Sequence, residues 1–175
     1  PSGRKLFTEN EEDASITVID LCTTHGEVLE NILMPRAING IAASSRYPYL
    51  VATDAERPLL YVLDAESHRI RHHLPLPGHK KAAQIARFSE DGTLLAVIGD
   101  GEPIVTLFDE MLTPIKQIEV GNKPMDGCFS PDNRTLLIAN EDDGTLSVID
   151  VLAGKVMATP LVGRGCEVLS YFTLT

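Results

Sequence analysis

The sequence predicts an all-β fold made of four repeated units, on the strength of three observations. First, a strand-like run that ends in aspartate occurs four times, at Asp20, Asp64, Asp109 and Asp150, with spacings of 44, 45 and 41 residues. Second, another apolar run precedes each of them. Third, the sequence contains no long amphipathic helix pattern. Four short strands in about 40–45 residues are typical of one blade of a β-propeller.

Each unit can be divided into four strands. The aspartate-ending runs are rich in β-branched and aliphatic residues and cover 15–20, 59–64, 104–109 and 146–150. The apolar runs ahead of them cover 6–8, 49–52, 94–97 and 136–139. Tight-turn clusters such as 89–92 and 130–133 come before those runs, and each aspartate is followed by a turn and a fourth strand, as at 155–159.

The chain begins in the middle of a unit, because residues 1–20 align without a gap on residues 131–150. With the strands named A to D from the channel outward, the predicted order is BCD-ABCD-ABCD-ABCD-A, four blades of four antiparallel strands. The predicted blades are 1–34 together with 163–175, then 35–76, 77–120 and 121–162. The last strand, near Cys166, is predicted to pair with the strand around Leu6 and Phe7, within one chain or between two, which removes exposed sheet edges.

Three assemblies are compatible with this order. Two chains that meet head to tail would form an eight-bladed homodimer with two-fold symmetry. Alternatively, four blades close a ring within one chain, or the four blades are a fragment of a longer propeller. The first and the last of these possibilities are favoured over a closed monomer, since propellers of four blades are at the lower limit of the range.

Composition excludes several classes of partner. The formal net charge is −10, which argues against nucleic acid and anionic membranes, since a basic surface supplies most of that affinity. No apolar run approaches the ~18 residues of a membrane span, so membrane insertion is not expected. Cys22, Cys128 and Cys166 have no metal or redox spacing and are interpreted as small core residues, which leaves the compartment open.

Residues 121–158 resemble a repeat of the YVTN β-propeller family, through Phe-Ser-Pro-Asp at 129–132, Val-Ile-Asp at 148–150 and Gly-Lys-Val at 154–156. Residues 1–33 are similar, and 39–76 less so. Residues 78–109 resemble a WD repeat, with Gly-His at 78–79 and Phe-Asp at 108–109, although the chain has no tryptophan. The resemblance implies a propeller and favours a periplasmic or cell-surface location. Such folds include binding scaffolds, lactonases, and haem- or quinone-dependent enzymes, so function must be argued from a site.

One charge pattern points to a ligand. The D–A connections of a propeller lie on the same face as the B–C turns, and here they carry Arg36, Lys80, Lys81, Lys123 and Arg164. Acidic residues cluster in the B–C turns. We therefore predict a basic inner ring within an acidic outer ring, able to attract a small anion to the channel mouth. His79, in the same set of connections, completes the predicted ligand-binding residues. The alternative is that these cations only keep tight loops solvated.

No catalytic constellation, metal-ligand spacing or phosphate loop stands out, and neither a cofactor nor a metal is predicted. The histidines at 68, 72 and 73 are interpreted as solvated residues of an outer strand, and the acidic turns as a solvated rim. The predicted function is a non-catalytic binding or scaffold propeller that recognises a protein or a small anionic ligand on the D–A/B–C face. The alternative is an enzyme or enzyme subunit that uses His79, Asp126 or Glu167 at the channel mouth.

Overall fold

A computed structural model describes residues 3–171 and consists of strands and turns. The described residues form no helix, and therefore none long and apolar enough to cross a membrane. The described residues contain fifteen strands. They are β1 (Lys5–Asn10), β2 (Ser15–Asp20), β3 (Glu27–Leu33), β4 (Ile38–Ala43), β5 (Tyr49–Asp54), β6 (Leu59–Asp64), β7 (Ile70–Pro75), β8 (Ala83–Phe88), β9 (Leu94–Gly99), β10 (Ile104–Asp109), β11 (Pro114–Glu119), β12 (Pro124–Phe129), β13 (Thr135–Asn140), β14 (Thr145–Asp150) and β15 (Lys155–Ala158).

The strands form four antiparallel sheets in which each strand pairs with the next along the chain. Blade 1 has three strands, β1–β2–β3, and blades 2, 3 and 4 have four each, β4–β7, β8–β11 and β12–β15. The four aspartate-ending runs are β2, β6, β10 and β14, at the same place in every sheet. The predicted all-β propeller fold is therefore confirmed, including the missing first strand of blade 1.

The repeated aspartates explain why each third strand stops where it does. Their carboxylates accept hydrogen bonds from backbone N–H groups two or three residues ahead, which closes the C–D turn. The bonds come from Cys22 to Asp20 (2.7 Å), from Ser67 to Asp64 (2.7 Å), from Met111 to Asp109 (2.9 Å) and from Ala153 to Asp150 (2.8 Å). Cys22 is exposed in the first of these turns, so the interpretation of all three cysteines as core residues is wrong for Cys22.

The hydrophobic core consists of three clusters, one at each junction between consecutive blades. Ile16 and Val18 of blade 1 pack with Leu50 and Leu63 of blade 2, and equivalent clusters join blade 2 to blade 3 and blade 3 to blade 4. Within the described residues, the packed strand pairs follow chain order and none joins blade 1 to blade 4. The four blades thus form an open arc.

The predicted last strand is absent from its described part, because residues 163–171 form no strand and do not pair with β1 of the same chain. Residues 172–175 lie outside the described residues, and pairing with β1 of a second chain stays a prediction. The segment 163–171 lies instead along blade 4. The backbone N–H of Leu169 bonds to Asp126 Oδ2 of β12 (3.3 Å), and Cys166 Sγ lies 3.4 Å from the carbonyl oxygen of Asn140. An inner strand becomes regular by pairing with the second strand of its own sheet, and here that partner is at the far end of the arc.

Candidate functional site

The D–A connections and the B–C turns lie side by side at one end of the sheets, which we call the loop face. The same backbone hydrogen bond joins them in blades 2, 3 and 4. The donor is the N–H of the residue just after the second strand, and the acceptor is the carbonyl of the residue just before the first strand. These bonds run from Ala55 to Ala37 (2.9 Å), from Asp100 to Ala82 (3.0 Å) and from Glu141 to Lys123 (3.0 Å). Each connection is therefore fixed against the acidic turn of its own blade.

Two of the predicted cations are paired with acids of that turn. Arg36 forms an ion pair with Glu56, and the two side chains are 44% and 59% exposed. Lys123 Nζ lies 2.7 Å from Glu141 Oε2, a hydrogen bond that raises the pKa of Lys123. The predicted inner basic ring and outer acidic ring are thus in direct contact at these two blades. Their charges largely cancel at short range.

The other cations of the loop face have exposed side chains. The backbone N–H groups of Lys80 and Lys81 bond to the Glu102 carboxylate at 3.0 Å, and both lysines are exposed. Arg164 is exposed too, and its backbone lies against the turn at Gly144. Among residues 3–171, none of these three side chains is within ion-pair distance of a carboxylate. They are the cations available for a ligand.

His79 is placed differently from the prediction. Its side chain is fully buried inside blade 3, and Nε2 lies 2.9 Å from Thr106 Oγ1 of β10. Burial lowers the pKa of His79, an effect that Glu102, 3.9 Å away, opposes. The histidine therefore does not project from the loop face toward a ligand.

The role of His79 follows from comparing the blades. In blades 1 and 4 an asparagine at the end of the second strand bonds to the middle of the third strand, from Asn10 Nδ2 to Thr17 Oγ1 (2.8 Å) and from Asn140 Nδ2 to Ser147 Oγ (3.0 Å). Blade 3 has Gly99 at that position, with no side chain to bond Thr106. The imidazole of His79 provides the missing bond from the D–A connection. Gly99 is the sequence signal that indicates this role.

In blade 2 the same position carries a carboxylate, which sequence reasoning assigned only to the acidic rim. Asp54 has a fully buried side chain. It accepts hydrogen bonds from the Tyr61 hydroxyl (2.7 Å), from Arg57 Nη2 (2.9 Å) and from the backbone N–H groups of Glu56 and Arg57 (2.9 Å each). Burial by itself raises the pKa of Asp54, but these hydrogen bonds outweigh it and the pKa is lowered. Asp54 is an ionised structural group.

An ion pair joins two of the inner strands. Arg87 Nε of β8 lies 2.8 Å from Asp126 Oδ1 of β12, and Asp126 is 4% exposed. The second carboxylate oxygen of Asp126 accepts the N–H of Leu169. One oxygen of Asp126 thus joins two neighbouring inner strands, and the other holds the segment 163–171 against β12. Glu167, the other acid considered for the channel mouth, is exposed.

Two grooves lie at the opposite end of the sheets, at the turn between β4 and β5. The larger has a volume of about 480 Å³ and is lined by residues that include Arg4, Lys5, Phe7, Arg46 and Tyr47. The smaller, of about 220 Å³, lies on the other side of Tyr47. Arg46 is paired with a glutamate of the neighbouring blade at 2.9 Å. Sequence reasoning did not identify these grooves, which depend on how two blades meet.

Metal ligands do not converge in the described part of the chain. No group of three or more histidine, cysteine, aspartate or glutamate side chains in residues 3–171 is arranged to hold a metal ion. In blades 2, 3 and 4 at least one acidic side chain of the B–C turn bonds instead to the adjoining D–A connection, as Asp143 does with Asn122 (2.7 Å).

Four antiparallel sheets packed face to face in an arc define the chain as a β-propeller protein. Hydrazine synthase from Kuenenia stuttgartiensis is a solved structure with this fold, and it superposes with a TM-score of 0.82 over 93% of this chain at 20% sequence identity. This chain spans 47% of the length of that one. No protein-family profile and no curated protein sequence matches the chain.

Proposed function

We propose that the chain is a binding module whose loop face recognises a small multivalent anion. The observation that carries the proposal is the placement of Lys80, Lys81 and Arg164, whose exposed side chains stand on a face otherwise lined with internally bonded turns. Cations grouped on one face attract an anion even though the whole chain carries a net charge of −10.

The rigidity of the loop face supports the same proposal. Its connections are fixed by the repeated backbone bonds and by side-chain bonds such as that of Asn122 to Asp143. A site whose backbone is already ordered loses less conformational entropy when a ligand binds. The pairs Arg36–Glu56 and Lys123–Glu141 add an element of selectivity, because an anion must compete with carboxylates for these two cations.

Citrate is a suitable probe, since it carries three carboxylates and no apolar surface. Isothermal titration calorimetry should detect binding to the natural chain, with an affinity that falls as salt is added. The variant Lys80→Ser/Arg164→Ser removes two exposed cations from the loop face. At about 0.2–1 kcal/mol for each exposed charge contact, the affinity should fall about two- to thirty-fold.

The matched control is Arg134→Ser/Lys155→Ser, which removes two exposed cations from the opposite end of the sheets. The net charge of the two variants is the same, so a long-range effect of charge would appear in both. Equal loss of affinity in both variants, or no loss in the loop-face variant, would overturn the proposed site.

A further inference from the structure

We infer that Lys5 is a reactive amine, activated by His68 and Glu30, that forms an imine with an aromatic aldehyde bound in the groove between blades 1 and 2. The three side chains form a chain of hydrogen bonds. Lys5 Nζ lies 2.8 Å from His68 Nε2, and His68 Nδ1 lies 2.8 Å from Glu30 Oε2. The inference goes beyond the anion binding proposed for the loop face and does not depend on it.

The three side chains come from different segments of two blades. Lys5 is the first residue of β1 and Glu30 lies in β3, both in blade 1, whereas His68 lies in the turn before β7 of blade 2. They meet inside the junction between these blades, so described residues form both sides of the site. The sequence interpretation of His68 as a solvated residue of an outer strand is wrong, because its side chain is only 10% exposed.

The hydrogen-bond partners determine the tautomer of His68. A lysine ammonium can only donate, so Nε2 accepts from Lys5, and the ring hydrogen on Nδ1 is donated to Glu30. Phe7 packs edge to face against the imidazole at a centroid distance of 6.1 Å. A nucleophile, a base within hydrogen-bond distance and a third group that orients the base are the arrangement of an activated nucleophile.

The corresponding place between blades 2 and 3 contains an apolar contact. Lys5 begins β1 as Tyr49 begins β5. His68 and Leu112 are the residues with positive φ, 58° and 61°, in the turns after β6 and β10. Tyr49 and Leu112 are buried in one hydrophobic cluster. An apolar pair is therefore sufficient for the fold at this position, and a polar departure from a repeated pattern is typical of a functional site.

The groove beside Lys5 indicates the class of substrate. Its volume of about 480 Å³ is within the range of small-molecule sites, and Phe7, Tyr47 and Tyr49 line it together with Lys5. The rings of Tyr47 and Tyr49 are stacked, with their centroids 6.1 Å apart. Another aromatic ring packs favourably against such a wall. Since an amine reacts with a carbonyl carbon, we assign the site to an aromatic aldehyde.

The bond changes balance without an added oxidant or reductant. The Lys5 ammonium passes a proton to His68 Nε2, and Glu30 stabilises the resulting imidazolium. The lone pair of the neutral amine forms a C–N bond to the aldehyde carbon, while the π electron pair of the C=O bond moves to oxygen. An N–H proton then moves to that oxygen and gives a carbinolamine. His68 returns its proton to the hydroxyl, which leaves as water, and the product is a protonated imine.

The site can be tested with benzaldehyde and sodium cyanoborohydride, which reduces an imine to a stable secondary amine. Proteolysis and mass spectrometry then give the rate of modification at each lysine of the natural chain. Lys155 is the internal control, since it is also exposed and also begins a strand. Lys5 should be modified about 10²-fold faster than Lys155, the lower end of what a positioned acid–base group contributes.

Two variants test the chain of hydrogen bonds. His68→Gln retains an acceptor oxygen for Lys5 but no group that takes its proton, so modification of Lys5 should slow to the rate of Lys155. Glu30→Gln should lower the maximal rate at Lys5, while the benzaldehyde concentration that gives half of this rate stays the same. The Glu30 side chain is 52% exposed, so this variant keeps the fold. Glu27→Gln, at an exposed glutamate of the same strand, is the matched control and should change neither value.

Tyr47→Ser tests the groove. Loss of the aromatic contact should raise the half-saturating benzaldehyde concentration about two- to twelvefold and leave the maximal rate unchanged. Modification by acetaldehyde, which has no ring, should be the same in this variant as in the natural chain. Circular dichroism establishes that each variant is folded. Equal rates at Lys5 and Lys155, an unchanged rate at Lys5 in His68→Gln or Glu30→Gln, or a rate that does not saturate with benzaldehyde would each overturn the inference.

Discussion

Replacing Asp54 by asparagine tests how the buried polar position at the end of each second strand contributes to stability. The carboxylate of Asp54 accepts five hydrogen bonds. Oδ1 accepts two from backbone N–H groups, and Oδ2 accepts one from the Tyr61 hydroxyl and two from the Arg57 guanidinium. Asparagine keeps the shape and can still accept the two backbone bonds. Its amide nitrogen then faces the Arg57 guanidinium, where two donors meet and no bond forms.

The loss of stability that Asp54→Asn causes can be bounded from above and below. An internal hydrogen bond to a charged group contributes about 1.5–3 kcal/mol. Removing one partner of a fully buried ion pair costs about 3–5 kcal/mol because the other charge stays buried and unpaired. Arg57 is 48% exposed and can return to water, so the upper range does not apply. We expect Asp54→Asn to lower the free energy of unfolding by about 2–3 kcal/mol at neutral pH.

The effect should depend on pH in a defined direction. The pKa of Asp54 is lower in the folded protein than in the unfolded chain, where it is about 3.9. The charged form therefore stabilises the fold fully above about pH 3.9, and this contribution disappears as the pH falls through the folded pKa. The free energy of unfolding can be measured by urea denaturation followed by far-ultraviolet circular dichroism. The difference in this free energy between the natural chain and Asp54→Asn should be constant near neutral pH and should become smaller in acid.

The control is Glu56→Gln, which removes the same charge from the same turn at a side chain that is 59% exposed. This substitution should lower the free energy of unfolding by at most about 1 kcal/mol, as expected for the loss of a surface ion pair. A loss below about 0.5 kcal/mol for Asp54→Asn, the range of ordinary surface changes, would refute the role given to the buried network. So would a difference that stays unchanged in acid.

Two further predictions concern the buried side chains. Burial lowers the pKa of His79 below the unfolded value of about 6.5. The free energy of unfolding should therefore decrease as the pH falls below about 6.5, because the unfolded chain then binds a proton that the folded protein does not. The variant His79→Gln should remove this part of the pH dependence. Leu136→Ala, at a fully buried junction leucine, should lower the free energy of unfolding by about 2–5 kcal/mol, while Leu152→Ala in an exposed turn should change it by less than about 0.5 kcal/mol, both measured by urea denaturation.

The repeated elements could be predicted from the sequence because their determinants are local. A strand such as β10 is indicated by its run of apolar and β-branched residues, and its end is indicated by the aspartate that closes the following turn. Residues 163–171 do not form the predicted strand within this chain, because strand formation there depends on a partner far away in the sequence. A sequence repeat identifies which residues occupy equivalent positions in different blades. Strand pairing depends in addition on which strand edges lie next to each other in the folded chain.

The side-chain contacts of the loop face could not be predicted from the sequence. The D–A connections and the acidic turns were recognisable by composition, but the pairing of Lys123 with Glu141 depends on distances that spacing does not encode. His79 was assigned to a ligand because it lies in a connection. Its burial follows from the absence of a side chain at Gly99, a relation between two segments that becomes evident when the blades are superposed.

The most direct test of the proposed binding face is an amide-resolved NMR titration of the chain with citrate. We expect the chemical-shift changes to cluster at Lys80, Lys81 and Arg164 and in the B–C turns beside them, while the amide of Arg134 at the other end of the sheets stays unchanged. Shifts that cluster at Arg46 and the grooves around it, or an absence of shifts at saturating citrate, would contradict it.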